Sequence, residues 1–115
     1  MQKQIIFENF YEIIDYYLNN YVIFKLGKVS IDCVYGSIEF VKTLKKSIIV
    51  HEIFIGEQYR NQGLCREFIK YLIDNTEGKK IIIQSVLSKI LYDYLIRFEY
   101  TGKKFILKKE GFVFG

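Results

Sequence analysis

The chain contains no proline, no tryptophan, one histidine, and two cysteines among 115 residues. Without proline, no residue forces a break inside a helix or strand, so glycine and polar clusters must do the punctuating. Cys33 and Cys65 are far apart in sequence. Such a pair excludes a disulfide framework and is compatible with free thiols in a reducing compartment. One histidine and two separated cysteines also make no zinc pattern. No apolar run approaches the length of a membrane span. The N-terminus, MQKQIIFENF, lacks the basic-then-apolar signal pattern with a small-residue cleavage site, so the expected location is intracellular and cytoplasmic.

Against these absences, 50% of the residues are hydrophobic, with ten tyrosines and ten phenylalanines. That content argues against a disordered chain and supplies aromatic side chains for a core or a ligand groove. The length suits one small domain, residues 1–115, around one principal core. A formal net charge of +4 and a pI near 9.0 bring nucleic acid or an anionic cofactor into consideration. The lysines come in scattered pairs, Lys45–Lys46, Lys79–Lys80, Lys103–Lys104 and Lys108–Lys109, at expected turns or strand ends. Their placement suits solubility better than a nucleic-acid groove.

Apolar residues at Phe7, Phe10, Tyr11, Ile14, Tyr17 and Leu18 fall near one helical face, so Phe7 to Leu18 is expected to be a helix. Asn19–Asn20 ends it. Tyr21 to Leu26 is expected as a strand, with Gly27–Lys28 a tight connection to VSIDCVY, forming a hairpin. Gly36–Ser37 breaks the pattern. IEFVKTL then suits either a strand or a short helix.

Ser47 to Leu72 organises the rest. Ile48, Ile49, Val50, Ile53, Phe54 and Ile55 are the residue types of a buried strand. After a polar loop, Leu64, Phe68, Tyr71 and Leu72 recur at helical spacing. The period changes across Gly63. Such a junction exposes the amide groups of a helix N-terminus, which suit phosphate or pyrophosphate, and Gln58, Arg60, Asn61 and Gln62 add donors. The helix, Gly63 to Asn75, ends in DNTEGKK. A strand from Ile81 to Ile83 follows, making a β-α-β unit with parallel strands. Ser85 to Phe98 returns to helical spacing, with Ser85 or Ser88 as a cap. FIL and FVF, separated by Gly111, are expected as a terminal hairpin or pair of short edge strands.

QYRNQGLC resembles the coenzyme A pyrophosphate loop of the GNAT family of N-acetyltransferases. The family signature is Gln or Arg, two residues, Gly, one residue, then Gly or Ala. Arg60 takes the first position, Gly63 the glycine, and Cys65 stands where the family has Gly or Ala. A second family block, Asn, then Ala, then Tyr, is matched by Ser85, Ser88 and Tyr92 in SVLSKILYDY. The Gly-Phe turn that follows it in the family is represented by Arg97–Phe98. At fold level the resemblance covers Tyr21 to about Leu107. In place of the family's two helices between its first two strands, this chain begins with one.

The resemblance implies an α/β (α+β) fold with flanking helices. Its mixed, mostly antiparallel central sheet would contain a parallel, splayed pair of strands. It implies acetyl-coenzyme A as cofactor, with Ile53, Phe54 and Ile55 offering backbone groups to the pantetheine arm. Arg60, Asn61, Gln62, Gly63, Leu64 and Cys65 would wrap the pyrophosphate, and Ser85 and Ser88 would belong to the second cofactor block. The reaction implied is acetyl transfer to a primary amine of a protein lysine or small molecule. It requires a base for the amine and an acid for the departing thiolate. Tyr92 takes the acid position. Glu52 resembles the family's carboxylate base, while His51 has the side chain best suited to proton transfer near neutral pH. In a regular strand the two point to opposite faces, and a bulge would bring His51 forward. Cys65 near a helix start sits where a thiolate is favoured, without an established partner for nucleophilic catalysis.

Two other readings stand beside the enzyme. One is a GNAT-like cofactor-binding or protein-interaction module without turnover, and the other is a basic nucleic-acid-binding domain. A homodimer is also expected, because an exposed C-terminal FVF strand would need covering.

Overall fold

The computed structural model describes residues 6–60, 62–76, 79–84, 89–97, 99–100, 103–104, 106–108 and 111–114. The fold is α+β. Helix α1 runs Phe10–Asn19 and starts where Asn9 Oδ1 accepts the Glu12 amide at 2.9 Å. This cap explains a start three residues later than the periodicity predicts. Phe7 is instead bridged beside Cys33, its amide donating to Asp32 O and its carbonyl accepting from Val34 N.

The segment expected as a strand from Tyr21 to Leu26 contains a 3₁₀ turn at Tyr21–Ile23. The reason lies on a later strand. Lys42 Nζ reaches back and donates to the carbonyls of Tyr21, Val22 and Phe24 at 2.5, 3.2 and 2.6 Å. It also lies 4.7 Å from the centre of the Tyr21 ring. An ammonium collecting three carbonyls holds a curled backbone that no ladder could supply.

The hairpin therefore shifts along the chain. Strand β1 is Gly27–Cys33 and β2 is Gly36–Lys42, antiparallel, with the turn at Val34–Tyr35. This resolves IEFVKTL as mainly strand and places Gly27–Lys28 inside β1. A Cβ on Gly36 would stand 1.9 Å from the Phe54 carbonyl oxygen, so the turn needs a residue with no side chain there.

Strand β3, Ile48–Ile55, pairs antiparallel with β2. Helix α2, Leu64–Asn75, then returns the chain to β4, Ile81–Ile83, which pairs parallel with β3 as the β-α-β reading expects. Helix α3, Lys89–Arg97, is followed by the short pair β5, Glu99–Tyr100, and β6, Lys103–Lys104. Last come β7, Ile106–Lys108, and β8, Gly111–Phe114, which form the terminal hairpin. The main sheet has the order β1-β2-β3-β4-β8-β7.

That order corrects one premise. The FVF strand β8 lies inside the sheet, hydrogen-bonded to β4 and β7, and is not an exposed edge. The case for a homodimer built on covering it falls with that placement.

The core lies between one face of the sheet and the helices. Ile38, Phe40, Ile48, Val50, Ile81 and Ile83 from the sheet meet Ile13, Ile14 and Tyr17 of α1 and Phe68, Ile69 and Leu72 of α2. Leu95 of α3 belongs to the same cluster. Tyr17 stacks on Phe40 with ring centres 3.9 Å apart. On the other face, Ile49, Ile82 and Val113 form a smaller cluster with Val41.

Candidate functional site

The parallel register between β3 and β4 runs from Ile48↔Ile81 to Val50↔Ile83. One further bond, Gln84 N–H to Val50 O at 2.8 Å, closes the pair. Strand β3 continues to Ile55 with no β4 residue opposite among the described residues. The point where the pair ends is where the chemistry-bearing side chains gather.

His51 is an extra residue at that point. The β2–β3 register steps from Phe40↔Val50 to Glu39↔Glu52, so two residues of β3 oppose one of β2. Such a bulge bends the strand and re-aims its side chains. Beyond it Ile53 and Ile55 pack on the main core, continuing the face of Ile48 and Val50. His51 and Glu52 are thereby both directed toward the face that carries Glu39. His51 reaches Glu39 by contact, and Glu52 stands across from it in register. Opposite faces are expected only of a regular strand, and the bulge is the alternative case that brings His51 forward.

The imidazole is held between two strands. His51 Nδ1 lies 3.1 Å from Gln84 Oε1, and Nε2 lies 3.6 Å from Glu39 Oε1. Only the first is a hydrogen-bond distance. With Gln84 Oε1 as acceptor, Nδ1 carries the bridging proton and Nε2 is the nitrogen that faces Glu39. Glu39 also meets Lys28 Nζ at 3.8 Å. Glu52 is exposed.

Gln84 and Glu39 are the residues that sequence reading missed. Gln84 was legible only as the first polar residue after the apolar run of β4. Glu39 needed the register to be known.

Beyond Ile55 the chain makes a 3₁₀ turn, Glu57–Tyr59, and enters the loop. Arg60 folds back so that Nε donates to Ile55 O at 3.0 Å, with its guanidinium carbon 5.9 Å from the Phe54 ring centre. Phe54 itself is exposed. Gln62 Nε2 donates to Gln58 O at 3.3 Å. Gly63 is the N-cap of α2 with φ +77° and ψ +12°, the left-handed region that favours glycine. Gly63 itself has no side chain with which to cap this end. A Cβ there would meet only Arg66 Nη2, at 3.6 Å, so the demand for glycine is conformational within this chain.

Leu64 packs on the main core. Cys65 is half-buried, and burial pushes its thiol up to about 11. Burial thus disfavours the thiolate that a helix start would favour. Tyr92 of α3 is half-buried and packs against the main core, on the helical side of the sheet. His51 and Glu52 face the other side. Asn61, Ser85 and Ser88 lie outside the described residues, as does Phe98.

Comparison with known proteins finds no family model, curated protein or solved structure that matches the chain. The functional reading therefore rests on the site itself. Among the described residues no group of histidine, cysteine and carboxylate side chains could hold a metal ion. No described helix is long and apolar enough to cross a membrane.

Proposed function

We propose that this chain is an acetyl-coenzyme A dependent N-acetyltransferase of GNAT-like fold, acting on a primary amine of a protein lysine or small molecule. The observation that carries the proposal is the end of the β3–β4 pair at Val50 and Gln84. From there β3 runs on into the Arg60–Cys65 loop at the uncapped start of α2.

The residues present fit an anionic cofactor. Among the described residues no side chain caps the first amides of α2, Gly63 adds none in front of them, and Arg60 adds a permanent cation. Residues Arg60 to Cys65 would hold the pyrophosphate, and backbone groups of Ile53, Phe54 and Ile55 would hold the pantetheine arm. When bound there, acetyl-coenzyme A supplies an activated thioester. His51 Nε2 is the atom that takes the proton from the acceptor amine, with the ring fixed by Gln84 through Nδ1. Glu52, exposed beside it, offers a negative charge that draws the ammonium form of the acceptor. Tyr92 Oη carries the proton needed on the leaving-group side.

Calorimetric titration with coenzyme A and acetyl-coenzyme A, followed by thiol release with a panel of primary amines, tests the proposal. Saturable binding together with amine-dependent release is expected. Absence of binding at millimolar cofactor overturns the reading altogether. Binding without release for any amine would favour the second reading, a cofactor-binding module without turnover. The separation of Tyr92 from His51 and Glu52 is the observation that keeps that alternative in view. A basic nucleic-acid-binding role would instead show as salt-dependent affinity for nucleic acid and none for the cofactor.

A further inference from the structure

The end of the molecule opposite the loop has an unusual surface. Strand β3 separates the two ends, from Ile48 to Ile55, a span of about 25 Å. At the Ile48 end, the 3₁₀ turn Tyr21–Ile23 leans on the β2–β3 connection. Lys42 holds its carbonyls, and Tyr21 Oη donates to Lys45 O at 3.4 Å. Lys79 Nζ comes to 4.8 Å from the Tyr21 ring, and Lys80 O accepts the Ile48 amide. Three separate chain segments, residues 21–28, 42–46 and 79–80, are thereby gathered at one end.

These segments expose aliphatic side chains that face no core. Val22 and Leu44 are each 89% exposed and Ile23 is 73% exposed, with Leu26 also exposed. Around them stand Lys25, Lys45, Lys46, Lys79 and Lys80, none in an ion pair among the described residues. Between Asp15 and Asp32, and between Glu39 and Glu52, the sequence has no acidic residue at all. Several exposed aliphatics at one end of the molecule, on segments rich in lysine, are costly in water, and solubility alone does not explain them. Solubility would call for the lysines without the aliphatics.

We propose that this end docks on an anionic lipid surface. Val22, Ile23, Leu26 and Leu44 would enter the headgroup–acyl boundary, with the surrounding lysines on lipid phosphates. Charge complementarity selects an anionic surface, and the aliphatics select a bilayer over a nucleic acid, whose backbone offers them nothing to bury against. Contact of this kind needs no spanning helix. It leaves the Arg60–Cys65 loop and the β3–β4 split facing away from the surface, open to cofactor and acceptor.

Co-sedimentation with vesicles of phosphatidylcholine, with and without phosphatidylglycerol, tests the assignment. Binding is expected only to the anionic vesicles, and to weaken with salt. Lys45→Gln and Lys46→Gln should each lower the partition coefficient roughly fivefold, as for a lysine near a charged bilayer. The double variant Val22→Ser, Ile23→Ser should lower it at both low and high salt while leaving the circular dichroism spectrum and thermal midpoint unchanged. Failure to bind anionic vesicles overturns the proposal. So does a Val22→Ser, Ile23→Ser variant that binds as well as the parent, or tighter binding to duplex DNA that only the lysine changes weaken. Either would mark the end as a general polyanion site.

Discussion

His51 on β3 and Gln84, just past the end of the adjacent β4, are 33 positions apart in sequence, with Nδ1 and Oε1 3.1 Å apart. The contact spans the place where β3 and β4 cease to pair, and Gln84 also secures that place through its backbone bond to Val50. A side chain is thus oriented from one strand while its ring hangs from the other. Under the proposed function, the arrangement favours His51 over Glu52 as the base.

Replacing His51 by Gln should therefore lower kcat by a factor on the order of 10², the lower range for loss of a proton-transfer group. Gln84→Leu should act through His51, reducing kcat less and altering the pH profile without changing cofactor affinity. Glu52→Gln should chiefly raise KM for a cationic acceptor. Steady-state kinetics of the three variants across pH separate these roles. Equal, small effects in all three would remove His51 from the mechanism.

Tyr92→Phe is expected to lower kcat by on the order of 10² while cofactor affinity stays nearly unchanged. The hydroxyl is the only atom removed, and the ring keeps its packing against the main core. Loss of thermal stability equal to the loss of rate would instead mark a packing role.

At Gly63, φ of +77° means that any Cβ is strained whether or not a ligand is bound. Gly63→Ala should cost about 1–2 kcal/mol of stability in urea titration. Gly63→Asn should cost less, since Asn visits this region more readily. If the loop holds pyrophosphate, both variants should lose coenzyme A affinity beyond what their stability explains. Calorimetry on the folded fraction measures that excess.

Gly36→Ala should be worse tolerated than Gly63→Ala. Its Cβ would have to displace the Phe54 carbonyl and the end of β3, where backbone gives way only with the sheet. A destabilisation of about 1–3 kcal/mol or more is expected, as for overpacking. A urea midpoint equal to that of the parent would contradict the close approach.

Tyr17→Phe should be neutral or stabilising by about 1 kcal/mol. The Tyr17 hydroxyl is fully buried with no hydrogen-bond partner among the described residues, and an unsatisfied buried donor costs about that much. The stack on Phe40 survives the change. A lower melting temperature for the variant would reveal a partner for that hydroxyl.

Stability should also fall as pH rises from about 9 toward 11. Burial raises the Cys65 thiol from 9.0 to about 11, and it raises the Tyr17 hydroxyl as well. In that window the unfolded chain releases the thiol proton while the folded chain retains it, so folding is fully favoured below the window and weakened through it. Melting curves at stepped pH check the decline, and Cys65→Ala should remove part of it.

Most elements were legible because their signals are local. The apolar face of α1, the change of period across Gly63 and the apolar run at Ile81 each sit within a few residues of what they specify. The β-α-β connection follows from them, since a short helix between two strands forces parallel neighbours. Where a feature depends on a partner distant in sequence, the sequence was silent or misleading. The apolar stretch Tyr21–Leu26 has strand composition, yet Lys42 holds part of it in a 3₁₀ turn. The FVF strand resembles an edge, yet β7 and β4 enclose it. The bulge at His51 exists only relative to the register of β2. Sequence determined the strand, the loop and the helix around the candidate site, because propensity and glycine geometry act along the chain. Tertiary structure decided which side chains share a face, because a single residue out of register exchanges every face after it.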